Sequence, residues 1–132
     1  DLSDGKASTF SPIFQNAMYF DYTGTASFAN LRSVGPNLTI TPSKRVMLTA
    51  AYAWRSTERQ ADAVYVQPAQ SLAGTAACCR AVARALRVSA NWRLNRHVTL
   101  FEEYDNIDPS QDLRGVGGRR TTLLITNAQV KF

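Results

Sequence analysis

VMLTAAYAWR, from Val46 to Arg55, decides how the rest of the chain is read. Taken alternately, its side chains are Val46, Leu48, Ala50, Tyr52 and Trp54 on one parity and Met47, Thr49, Ala51, Ala53 and Arg55 on the other. A β-strand sends successive side chains to opposite faces. The stretch therefore predicts one wholly apolar face ending in two aromatics, backed by a face of small, hydroxyl and cationic groups. A soluble sandwich would press the apolar face against a second sheet. An outer-membrane barrel would turn it to lipid, with Tyr52 and Trp54 at the level of the headgroups.

Working outward, LRSVGPNLTITP repeats the pattern, with Val34, Pro36, Leu38 and Ile40 apolar and Ser33, Gly35, Asn37, Thr39 and Thr41 small or polar. Pro36 marks an edge or a bulge, because it has no N–H to give to a ladder. Pro42 to Arg45 form a tight turn into the first-quoted strand, so the two segments make a hairpin. ALRVSANWR predicts a third strand, with Leu86, Val88, Ala90 and Trp92 against Arg87, Ser89, Asn91 and Arg93. After a second tight turn, Leu94 to His97, the fourth strand sets Val98, Leu100, Glu102 and Tyr104 against Thr99, Phe101, Glu103 and Asp105; Glu102 is the misfit. The last strand places Leu124, Thr126, Ala128, Val130 and Phe132 on one face and Asn127, Gln129 and Lys131 on the other.

Between these strands the loops sort by length. Residues 1–29 read as a long loop with a short helix near Ile13 to Met18, residues 56–79 as a second, and NIDPSQDLRGVGGRR as a third. PSKRVMLT and LNRHVTLF both read as turn, basic pair, Val, any residue, Leu, with Val46 and Val98 52 residues apart. Short turns at one end and long loops at the other is the asymmetry of outer-membrane barrels. A mean hydropathy of −0.22 does not argue against this reading, because polar lumen-facing residues offset lipid-facing ones in any average. No run approaches the roughly 18 apolar residues of a membrane helix.

The net charge of +5 implies an anionic partner. Catalysis finds no support: His97 lies in a tight turn, no Ser sits in a nucleophile elbow, and Glu102 and Glu103 point to opposite faces. VGGRR lacks the spacing of a phosphate loop, and we expect no cofactor. Arginines and aromatics lie on opposite faces, which argues against nucleic-acid binding. Cys78 and Cys79 are sequence neighbours, too close at Cα for an unstrained disulfide, and lack the partners of a metal site. They are expected to be two loop thiols.

Strands of about ten residues, aromatic ends at Tyr52, Trp54, Trp92 and Tyr104, segregated loops and a final strand ending on Phe132 favour the membrane barrel. About five strands cannot close, since single-chain barrels start at about eight. The chain opens on Asp1 with no initiator Met, so either a signal peptide has been removed or it is a piece of something longer; the second is favoured, and residues 1–132 are read as one domain portion. It is expected to be the C-terminal part of a larger barrel, whose remaining N-terminal strands are its first partners; a subunit of a shared barrel is the other possibility. The competing reading is a soluble all-β carbohydrate- or anion-binding module.

FSPIFQNAMYF, FANLRSVGPNLTITPSKRVMLTAAYAWR, DAVYVQP and NWRLNRHVTL, in that order and spacing, resemble the C-terminal third of the alginate-export family of outer-membrane porins. The resemblance covers roughly residues 10–104. It implies an antiparallel transmembrane β-barrel of about eighteen strands in the bacterial outer membrane. It also implies a basic lumen that exports an anionic uronate polysaccharide or passes related anions. Cys78, Cys79, Arg80, Arg84 and Glu102 depart from what it implies.

The aromatic parity assigns Tyr52, Trp54, Trp92 and Phe132 to lipid. It assigns to the lumen Asn37, Thr39, Thr49, Arg55, Arg87, Ser89, Asn91, Arg93, Glu103, Asn127, Gln129 and Lys131. Within that set Arg55, Arg87, Arg93, Lys131, Asn91 and Glu103 are the candidate anion-binding residues. Rings of Arg and Lys bias a pore towards anions, and a guanidinium stays charged while gripping carboxylates through a planar fork. Each arginine has a plainer role open to it, as a structural rung paired with acids of neighbouring strands.

Overall fold

The computed structural model describes residues 22–66 and 70–132; the expected helix at Ile13 to Met18 lies outside them. Its main sheet is antiparallel and runs β1 (Leu31–Val34) and β2 (Asn37–Ser43), both paired to β3 (Val46–Thr57). Across a long connection containing the small hairpin β4 (Tyr65–Val66) and β5 (Gln70–Ser71), β3 pairs with β6 (Ala81–Arg93). β6 pairs with β7 (Val98–Pro109), a short helix α1 (Gln111–Gly115) follows, and β8 (Thr121–Val130) closes the order.

β1 and β2 are successive lengths of the single strand expected there, so the sheet has five strand positions. The break falls at Gly35 and Pro36, where Pro36 still accepts a bond from the Tyr52 N–H at 3.0 Å. Gly35 is required: a Cβ there would run into the Tyr52 carbonyl. The sheet as described does not close, and it is part of an antiparallel β-barrel wall.

Register turns parity into rows across the sheet. Val46, Trp92, Leu100 and Ala128 share one row, and Ala50, Val88, Tyr104 and Leu124 another. Odd residues of β3 share the opposite face: Thr49 with Ser89, Glu103 and Ile125, and Ala51 with Arg87, Asp105 and Leu123. Trp92 and Trp54 stand eight residues apart along paired strands. That is roughly 27 Å of strand, or about 20 Å of height once tilted by ~40–45°, close to the apolar band of a barrel.

Several boundaries differ from the sequence expectation. β6 starts at Ala81 and is 13 residues long, because Val82 sits in a register shift opposite Arg55 and Ser56 that hides the alternation. β7 continues through Asn106 to Pro109, where turn-favouring residues are held in the ladder against Ala83 to Leu86. β8 stops at Val130, so Phe132 lies beyond the last strand and fully exposed. Its last ladder-like bond, from the Lys131 N–H to the His97 carbonyl at 2.8 Å, pins the chain just before it.

The only buried apolar cluster among the described residues lies at the long-loop end of the sheet. Val64 and Cys79 of the long connection meet Val82, Ala83, Ala85, Ile107 and Leu113 there. Cys78 and Cys79 form a vicinal pair with their sulfurs adjoining, which corrects the expectation of separate loop thiols. A link between adjacent residues joins no two elements, and Cys79 contributes chiefly as a buried apolar group at 1% exposure.

Candidate functional site

The apolar face has no second layer over it among the described residues. Leu38 is 63% exposed, Val88 42%, Trp92 50%, Trp54 54% and Leu124 69%. Fully burying one such side chain stabilises by about 1.5–3 kcal/mol, so an uncovered row of them is a surface whose solvent is not water. The opposite face holds the charge: Asp105 is 1% exposed, and Glu103 and Arg55 5% each. A water-soluble domain arranges these classes the other way round.

On the polar face Arg87 joins the two carboxylates. Its Nε lies 3.4 Å from Glu103 Oε1 and 3.4 Å from Asp105 Oδ1. Asp105 is directly opposite Arg87 in the register, and Glu103 is two residues along the same strand. Asp105 also accepts a bond at 3.3 Å from the backbone N–H of Tyr22. The Tyr22 ring meets Phe101 with centroids 6.4 Å apart. The segment from Tyr22 to Asn30 therefore starts over Asp105 and Phe101 on the polar face and leads into β1.

That segment is held at its upper end by Asn30, whose side chain donates to the Arg59 and Ala63 carbonyls at 3.0 Å each and accepts from the Arg59 N–H at 2.7 Å. Ser27 donates its N–H to the Tyr65 carbonyl, so the β4–β5 hairpin and the Tyr22 segment meet over the sheet. Tyr65 in turn donates its hydroxyl to Asp62 at 2.9 Å.

The expected site residues are thus distributed along the face. Arg87 and Glu103 come together in the middle. Arg55 is buried near the long loops, opposite Ser33 and Ala83. Asn91 lines an open cleft with Tyr22, Thr99, Phe101, Asn127 and Gln129. Arg93 stands exposed at the short-turn end with Lys44 and Arg45 nearby, and Lys131 is exposed beside His97, whose Nδ1 lies 3.0 Å from its carbonyl oxygen. Tyr52 and Trp54 meet edge to face, centroids 5.0 Å apart, on the apolar face.

Asp105 and Tyr22 were missing from the sequence-derived set. Asp105 was legible, because it shares the parity of Glu103; Tyr22 gives no periodic signal. Among the described residues no cluster of three or more His, Cys, Asp or Glu could hold a metal ion, and no helix is long and apolar enough to cross a membrane. The latter says nothing of strands.

A two-faced antiparallel wall, apolar outside and charged inside, defines a membrane β-barrel of the transport class. The sequence model of the alginate export family matches residues 1–122, and the chain belongs to that family. The family is one of outer-membrane transport porins rather than of enzymes. Neither the curated proteins nor the solved structures give a match to the chain.

Proposed function

We propose that this chain is the C-terminal part of a larger outer-membrane barrel through which an anionic polysaccharide of the alginate kind, or related anionic solutes, crosses the bacterial outer membrane. The observation that carries the reading is the inversion of the two faces, with exposed Leu, Val and Trp on one and buried Arg, Glu and Asp on the other. Family membership supplies the class of cargo.

Within this reading the cations divide by role. Arg87, flanked by Glu103 and Asp105, acts as a structural rung that fixes β6 to β7. Arg93 and Lys131 are exposed near the short turns and act as the anion-attracting mouth, with Asn91 and Gln129 supplying neutral hydrogen bonds between them. Weak, repeated contacts of this kind suit conduction, since a site must bind well enough to admit a polymer and loosely enough to release it. The Tyr22 to Asn30 segment narrows the lumen from within.

The test is planar-bilayer conductance of the complete barrel in a salt gradient, comparing wild type with the Arg93→Glu, Lys131→Glu double variant. Stepwise channels with an anion-selective reversal potential that shifts towards zero in the variant are expected. Channels of unchanged selectivity in the variant would remove these two residues from the lumen, and a protein that stays soluble without detergent and forms no channel would overturn the reading.

A further inference from the structure

At the long-loop end of the apolar face, just past the aromatics, the surface changes from apolar to basic. A cleft of about 840 Å³ opens there, lined by Trp54, Arg80, Arg84, Asp108, Asp112 and Arg114 among others. Trp54 and Arg84 are register partners, and Arg84 pairs onward with Asp108, so all three share one row on the face that carries Leu48 and Val88. Arg114 Nη2 lies 2.6 Å from Asp108 Oδ1, and Arg120 Nε 3.2 Å from the same oxygen. Asp108 is thus already over-matched by two guanidiniums, whereas Arg80 and Arg84, both exposed, make no side-chain hydrogen bond or ion pair with any described residue.

We propose that this cleft, at the long-loop rim of the wall where Trp54, Arg80 and Arg84 meet Arg55 of the polar face, binds the phosphate of an anionic lipid headgroup. The inference rests on the membrane-barrel reading above, which sets the half-exposed Trp54 and its neighbour Tyr52 at the headgroup level. Directly above that level is where lipid phosphates lie, and the guanidiniums lining the cleft are those of Arg55, Arg80, Arg84 and Arg114 against the carboxylates of Asp108 and Asp112. Arginine is well matched to a phosphate, because its fork meets two of the oxygens and it is more weakly hydrated than an ammonium. Asp108 holds Arg114 and Arg120 in place and leaves Arg80 and Arg84 to close on the ligand from the β6 side. A lipid chain could then lie along Leu86 and Val88 below, which a free anion would not use.

Native mass spectrometry of the complete barrel in detergent tests this, with phosphatidic acid, phosphatidylcholine and inorganic phosphate as probes. Wild type should retain one phosphatidic acid about tenfold more strongly than phosphatidylcholine, whose phosphate is screened by choline; a charge-assisted pair is worth about this much. The Arg80→Gln, Arg84→Gln double variant should lose the preference, while Arg119→Gln, outside the cleft, should keep it. Equal retention of the two lipids by wild type, or a preference untouched in the double variant, would overturn the site. Displacement of phosphatidic acid by millimolar inorganic phosphate would overturn the lipid as its occupant. Each result is read on protein that still requires detergent, so a failure of the barrel reading itself, seen as a detergent-free soluble protein, is told apart from a failure of the cleft.

Discussion

The two faces of the sheet differ more than any two segments of the chain. From β3 to β8 one face carries Val88, Trp92 and Leu124 exposed, and the other buries Arg55, Glu103 and Asp105, the last of them beneath Tyr22. Both faces are built from the same backbone and the same ladder, so the difference is due to side-chain parity alone. One residue of register slip would exchange them, which is why a surface of this kind strongly specifies its own pairing. The comparison also shows where order comes from among the described residues: from the ladder, from ion pairs such as those of Arg87, and from a small apolar cluster at the long-loop end.

The sharpest way to break the contrast is to unbalance the buried charges. Asp105→Ala removes the carboxylate opposite Arg87 and an acceptor of the Tyr22 N–H, and should cost about 3–5 kcal/mol, the usual consequence of breaking a buried pair. Glu103 remains beside the arginine and should hold the loss to the lower part of that range. Denaturant unfolding of the complete barrel in vesicles measures it, and adding Arg87→Met should deepen the loss, because it strands the buried Glu103.

Next in size is a charge on the other face. Val88→Arg, in the row of Ala50 and Tyr104, should cost about 2–4 kcal/mol if that row lies near the bilayer midplane. Ser89→Arg, one residue along and on the polar face, should cost far less. Equal penalties at the two positions would erase the distinction between the faces.

The smallest effect separates lipid from a packed core. Val88→Leu enlarges a side chain that has only fluid neighbours in the barrel, and should leave stability within about 0.5 kcal/mol. In a sandwich core the same change would overpack the interior by about 1–3 kcal/mol. Together these substitutions grade the faces by charge, by depth and by packing.

Much of this was legible in the residues. Alternation in Val46 to Arg55 and in Leu86 to Arg93 set both faces, and the cross-strand rows of the structure keep every one of those assignments. Glu102, the misfit, does lie exposed on the apolar face, opposite Ala90 and Thr126. What the sequence hid has two physical causes. Asn106 to Pro109 carry turn residues whose local preference is overridden by ladder pairing with β6, and Ala81 to Arg84 lose their parity at the Val82 register shift. The cover over the polar face depends on contacts between residues far apart in the chain, such as Tyr22 with Asp105, 83 positions along. Local patterns contain no trace of these.

The most direct test compares two positions on one strand. Leu124→Cys and Asn127→Cys both fall on β8, the first on the apolar face opposite Tyr104 and the second on the polar face opposite Phe101. In a background with Cys78 and Cys79 replaced by Ser, each is labelled with a fluorophore in the complete barrel reconstituted in vesicles. It is then exposed in turn to a lipid-borne nitroxide and to aqueous iodide. Quenching of the Leu124 position by the nitroxide alone and of the Asn127 position by iodide alone is the predicted result. A Leu124 label that no lipid-borne quencher reaches would contradict the account.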